Sequence, residues 1–322
     1  GGSMRVLLAI LSVFINPQFY KIALTVATPL MFASLGGVFS ETTGVVNIAL
    51  EGIILMGSFT SVVFTYLTGN VWFGVLMAVV SGIILALLHA WGSIKWSGNQ
   101  IVLGTAITLL AQGLTGFLME PIFGQPGQTD FIGKIDEITI PGLVEVPFIG
   151  QVLGEISPFV YIAFGCVAFG WWLIYKTKLG LRMRAVGENP EAADTLGINV
   201  YAIRYFGVIM SGVFASLAGA YLSVGEIGQF KELMSGGRGF IGLAAMIVGN
   251  WNPVGAMLAS LFFGFFGAFS NQLQSLQEIQ VAANVKSLFD TIPFILTIVV
   301  VAGVVGRSRG PAADGVPYEK HD

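Results

Sequence analysis

The chain has 322 residues, of which 55% are hydrophobic and 10% charged, against about 25% charged in an ordinary soluble domain. That excludes a water-soluble globular protein, and the same hydrophobicity excludes a disordered one. The net charge of −3 leaves no basic face for nucleic acid, and a single cysteine, Cys166, excludes an internal disulfide framework or a cysteine-built metal cluster.

Gly1, Gly2 and Ser3 before Met4 read as a cloning scar. Residues 4–15 are apolar over about 12 positions, short for a span of about 20, and are expected to form an interfacial or partly inserted N-terminal helix. Beyond them, charge-free gaps measure the spans, because a charge at the bilayer centre costs roughly 2.5–3.5 kcal/mol on insertion scales. Such gaps run from Lys21 to Glu41, Glu51 to Lys95, Lys95 to Glu120 and Glu155 to Lys176. Others run from Arg204 to Glu226, Arg238 to Glu278 and Asp290 to Arg307. The second and sixth are each long enough for two helices, so about nine membrane segments are expected. The fold class is an all-α polytopic membrane protein: one transmembrane domain over 4–306, an outer loop at 120–157, a cytoplasmic loop at 178–203 and a tail at 307–322. Asn16-Pro17, Ser157-Pro158 and Asn252-Pro253 each place a capping residue before a proline at the first helical position. Pro29 falls inside the first span, where a kink is expected.

Lysines and arginines orient the chain. Lys176, Lys178, Arg182, Arg184 and Arg204 crowd one loop, and Arg307, Arg309 and Lys320 the tail. The 120–155 loop carries Lys134 among six acids. The positive-inside rule puts the first two in the cytoplasm and the third outside. Lys21 and Arg5 fit this pattern poorly and leave the N-terminal side open.

Two stretches interrupt the helices, one around Gly44, Asn47, Glu51 and Gly52, the other around Gly236, Gly237, Arg238 and Gly239. After the second, about a dozen residues precede Pro253, which suits a half-helix. Aligning Gly44 with Gly237 pairs Ile48 with Ile241, Leu50 with Leu243 and Ile54 with Ile247. Glycine-broken segments at matching places in two halves point to a transport path, so an inverted repeat is expected. Asn47 and Glu51 share a helix face. They either line the polar path, with Arg238 as the mirrored candidate, or, for Glu51, sit solvated near an interface or in an ion pair. Asn99, Gln100 and Gln112 are further polar positions that could touch a solute or simply bond a neighbouring helix. Ser211, Ala215, Gly219 and Ser223, and likewise Gly212, Ser216 and Ala220, form small-residue stripes for close helix packing. His89 reads as a packed, hydrogen-bonded histidine. There is no metal site to defend among two histidines and one cysteine.

In the cytoplasmic loop, residues 188–196 read as one short, capped helix. Asn189 is the N-cap and Pro190 the first helical residue. Glu191 favours the dipole, and Gly197 suits a left-handed C-terminal position. Two turns are unstable alone, so the helix must rest on the bundle, a partner or both. A docking element explains such capping better than a plain connector does.

These residues resemble a known family. The run from Gly44 through Asn47 and Glu51 to Gly52, and that from Val186 through Glu188, Asn189, Pro190, Glu191, Ala192 and Ala193, resemble the permease subunits of binding-protein-dependent ABC importers of the branched-chain amino acid and ribose type. The stretch from Gly237 to Ala245, that from Gly249 to Pro253, and the tail from Gly315 to Lys320 are similar to its nucleoside and simple-sugar branch, in particular the shorter of that branch's two permeases. The resemblance implies a bacterial cytoplasmic (inner) membrane protein with a cytoplasmic C-terminus. It also implies a second, related and longer permease, ABC ATPase subunits and an extracytoplasmic substrate-binding protein. Glu188, Asn189, Pro190, Glu191, Ala192, Ala193 and Asp194 would couple to the ATPase by alternating access. No Gly-x-x-x-x-Gly-Lys-Ser/Thr loop occurs in the chain, so ATP and Mg are expected on partner subunits, with no cofactor here. A nucleoside is the first substrate expected; riboflavin, a purine base or a simple sugar are alternatives. An ion-coupled secondary transporter is the reading from another class, with a membrane enzyme a distant third.

Overall fold

A computed structural model describes residues 11–275 and 308–320, with positions 291, 295, 298, 299, 302 and 303 between them. The chain is built from α1 (Pro17–Glu41), α2 (Leu50–Thr68), α3 (Val71–Ala90, continued by a wider turn at Trp91–Lys95) and α4 (Gln100–Phe123). There follow the short α5 (Ile149–Leu153), α6 (Pro158–Lys176), α7 (Lys178–Glu188), α8 (Pro190–Thr195) and α9 (Val200–Ala220, continued at Tyr221–Ile227). Last come α10 (Arg238–Val248) and α11 (Pro253–Ser275). The only strands among the described residues are β1 (Ile138–Thr139) and β2 (Glu155–Ile156), a two-stranded antiparallel clip in the long loop.

Among the described residues, seven helices are long and apolar enough to cross a membrane. Of the nine segments expected, the seventh in chain order is α10, whose 11 residues extend only about 16 Å. The ninth, between 290 and 307, lies largely outside the described residues, as does most of the 4–15 helix. Asn16 and Asn252 cap as expected, accepting from the Gln18 amide at 3.0 Å and the Val254 amide at 2.9 Å. Ser157 does not: its hydroxyl turns across the bundle toward the Gly225 carbonyl instead. His89 is fully buried and its Nε2 donates to the Val46 carbonyl at 2.9 Å.

The centre of the bundle is α9, which packs on α1, α2 and α3. Its small stripes are what allow this. Ser211 bonds Asn47, and Ser223 meets Ser61 at 2.8 Å. The Gly219 carbonyl accepts from Ser58 at 2.9 Å. On the other stripe, Gly212 and Ser216 lie against Gly82. In hydrocarbon such contacts replace the hydrophobic drive between helices.

The bundle has two distinct ends. At one, residues 128–135 run beside 224–231 through backbone bonds such as Thr129 N–H to Phe230 (2.9 Å) and Ile135 N–H to Val224 (2.8 Å), and Lys21 pairs with Glu137 at 2.8 Å. The opposite end gathers Glu41, the 89–100 turn, α7, α8, the base of α9 and the 308–320 tail. Lys21 thus stands with the acidic loop, away from the other cationic segments.

Candidate coupling surface and interrupted segments

The first interruption is the chain between Glu41 and Leu50. Gly44 takes φ +86°, a left-handed turn that residues with a Cβ avoid. The residues that follow are held by side chains of three helices. Gln100, 4% exposed, accepts the Val46 amide at 2.7 Å, while His89 takes the Val46 carbonyl. Asn47 donates from Nδ2 to Ser211 at 2.9 Å. Backbone polar groups released from a helix inside a membrane need such partners.

The second interruption ends at α10, and Glu51 joins the two. Its carboxylate accepts the Gly237 amide on Oε1 at 2.8 Å and the Gly239 amide on Oε2 at 2.7 Å. Glu51 therefore caps the N-terminus of α10 from another helix, placing negative charge where the dipole is positive. No side chain of the α10 entry itself does so. Gly239 is required by this approach, since a Cβ there would sit 2.6 Å from the Glu51 Cα. Gly237 and Gly236 take φ +81° and +55° to form the turn, and Gly52 lets α2 close on the Thr108 backbone of α4. One turn along, Gly242 packs on Ala33 and Ser34 of α1. The capped end thus lies at mid-depth, and the other end reaches Trp251, whose Nε1 donates to Glu41 at 2.6 Å.

The polar positions read from the sequence do not converge on one wall. Asn47, Glu51 and Gln100 brace the interruptions. Arg238 donates to the Met234 and Ser235 carbonyls of its own turn at 3.1 and 3.2 Å, and its charge acts on Glu226, as does that of Lys134. Asn99 is exposed and caps α4, accepting the Ile101 and Val102 amides. Gln112 is half-buried on α4. The clasp of Val46 by His89 and Gln100 escaped the sequence reading, because no local pattern pairs residues 43 and 54 positions apart. Among the described residues no group of His, Cys, Asp or Glu could hold a metal ion.

At the other end, residues 188–196 resolve into two elements. Glu188 closes α7, and Asn189 caps α8 by accepting the Ala192 amide at 2.9 Å, with Pro190 first in the helix. Gly197 takes φ +78° and ends it. Ala193 is buried beneath, whereas Glu188, Glu191 and Ala192 face outward and Leu196 is 81% exposed. A groove of about 420 Å³ separates α8 from the tail, lined by Glu188, Glu191, Val316, Tyr318 and Glu319 among others. Asp314, held in the tail beside Glu41 and Arg204, has its carboxyl pushed up to about 6 by burial; Glu41, the Gly315 amide and Arg204 oppose that rise in part.

Comparison with known proteins matches residues 20–301 to the family described as branched-chain amino acid transport system, permease component. The chain is 41% identical over 304 residues to the nucleoside ABC transporter permease protein NupC of Lactococcus lactis, covering 91% of this chain and 94% of that one. It is 42% identical over 305 residues to the guanosine ABC transporter permease protein NupQ of Bacillus subtilis, covering 92% and 95%. It is 34% identical over 303 residues to the putative glucose ABC transporter permease protein TsgC13 of Haloferax volcanii, covering 88% and 90%.

Proposed function

Because the chain belongs to the permease-component family of branched-chain amino acid type transport systems, we propose that it forms half of the path of an ATP-driven nucleoside importer. The observation that carries the coupling role is α8, a six-residue helix too short to persist alone. It is capped at both ends and presents Leu196 outward. ABC ATPase subunits, holding ATP and Mg, dock there, and their closure rocks the bundle around the two interruptions. A second, related permease completes the path. An extracytoplasmic binding protein delivers solute at the 124–156 end, which faces out, while α8 and the tail face the cytoplasm. Nucleoside is favoured over sugar because the nucleoside and guanosine permeases exceed 40% identity and the putative glucose permease stands at 34%.

The test is affinity purification of the chain from its native membrane in a mild detergent, with mass spectrometry of what accompanies it and ligand analysis of any binding protein. An ATPase and a second permease are the expected companions. Recovery of the chain alone, with uptake abolished by an uncoupler and spared by ATP depletion, would instead favour an ion-coupled carrier.

A further inference from the structure

The tail is bonded to α7, to the first interruption, to the base of α9 and to the end of α10, although the sequence marks it only as a motif. The Ala313 amide donates to the Gly187 carbonyl of α7 at 2.8 Å, one turn before the coupling helix. Gly315 donates to the carbonyl of Gly44 at 3.2 Å, at the start of the first interruption. Arg309 donates its amide to Asn250 Oδ1 at 2.9 Å, and Gly310 lies against the Trp251 ring, at the end of α10. Arg204, 1% exposed at the base of α9, donates through Nη1 to the Val316 carbonyl at 3.0 Å. The tail thus meets the coupling loop, the first interruption and the end of the second.

From this arrangement we infer that residues 308–320 are a mechanical strap, which carries displacement of the coupling helix to both interrupted segments. The inference rests on the coupling role given to α8 above. Physically, α8 is held by the buried Ala193, by its junction with α7 and by Asp194 beside Tyr318 of the tail. A push on it moves Gly187, and Gly187 is tied to Ala313. The strap is stiff there: Asp314 N–H bonds Pro311 and Val316 N–H bonds Ala313, at 3.1 and 3.2 Å, closing a compact turn. Through Gly315 that motion reaches Gly44, three residues before Asn47 and seven before Glu51, which in turn holds the N-terminus of α10. Through Arg309 it reaches the opposite end of α10. The half-helix is therefore gripped at both ends by elements that the strap connects, and it can shift as a unit.

The experiment uses the full chain in its native-membrane complex, reconstituted into proteoliposomes, with tritiated guanosine uptake and ATP hydrolysis measured together. Asn250→Gly removes the acceptor of the Arg309 amide while suiting the left-handed backbone there (φ +56°). Gly315→Ala strains the strap turn at φ +76° and meets only Val46, at 3.5 Å. Neither residue belongs to α8 or to its cap. The expected result is normal recovery of the ATPase, continued hydrolysis, and uptake per ATP lowered about fivefold, the worth of roughly one net hydrogen bond. An unchanged ratio in both variants, while Asn189→Ala with Pro190→Gly lowers it, overturns the strap and leaves the coupling helix standing. Loss of ATPase recovery or of the chain itself in both variants makes the tail a structural staple and also overturns it. A silent Asn189/Pro190 variant refutes the coupling reading, and the strap falls with it.

Discussion

Glu51 is where the structure makes the sharpest demand. Its carboxylate, 5% exposed, holds two amides of the α10 entry at 2.8 and 2.7 Å. Hydrogen bonds to a charged group are worth about 1.5–3 kcal/mol each, and charge at a helix end adds about 0.3–2 kcal/mol. Glu51→Leu leaves both amides without an acceptor at mid-membrane, so a destabilisation of roughly 3 kcal/mol or more is expected. Glu51→Gln keeps one oxygen for one amide, turns its NH2 on the other and loses the charge, for a cost of about 1–3 kcal/mol. The assay is an SDS-unfolding titration of the detergent-purified chain, alongside its yield from membranes. The order wild type, Gln, Leu is expected in both. If Glu51→Leu accumulates normally and unfolds at the wild-type midpoint while uptake is lost, Glu51 acts on the solute and the capping account is wrong.

Gly239→Ala pushes a methyl against the Glu51 backbone, so the same titration should show a loss of about 1–3 kcal/mol from overpacking. Asn189→Ala with Pro190→Gly removes a cap worth about 1 kcal/mol and a preset turn. Uptake should fall while the complex still assembles, as pull-down and hydrolysis assays would show; unchanged coupled uptake would refute the docking role. Asp314 carries its proton longer in the folded state, to about pH 6, than in the unfolded chain, to about pH 3.9. The unfolded state therefore binds fewer protons between those values, and this group's contribution to stability is whole below about pH 4 and lost as pH rises through about 6. Thermal melts in detergent should show that decline, and Asp314→Asn should flatten it.

Seven long spans, the half-length of α10, the capped helix at Asn189 and the close-packing stripes on α9 were all legible in the sequence. Each follows from rules that act within one segment: hydrophobic length against bilayer thickness, a side-chain oxygen two or three residues from an amide, small residues on one helix face. Even there Ser157 escaped, because its hydroxyl found a carbonyl on another helix instead of its own first turn. The partners of the polar residues were decided only by tertiary structure. Glu51 and Gly237 are 186 positions apart, Asn47 and Ser211 164, and Arg204 and Val316 112. A lone carboxylate in an apolar run reads equally well as path lining, ion pair or cap, since all three satisfy the same charge. Which one holds depends on where the amides of a distant interruption come to rest. The sequence by itself determined a multi-pass helical bundle with two breaks and a short capped helix between its spans, because membrane thickness and helix-end chemistry are local constraints. Tertiary structure decided that Glu51 beside one break caps the helix after the other and that the tail bonds to Gly44, to Gly187 of α7 and to Asn250, because hydrogen-bond groups freed at mid-membrane must find partners wherever the fold brings them.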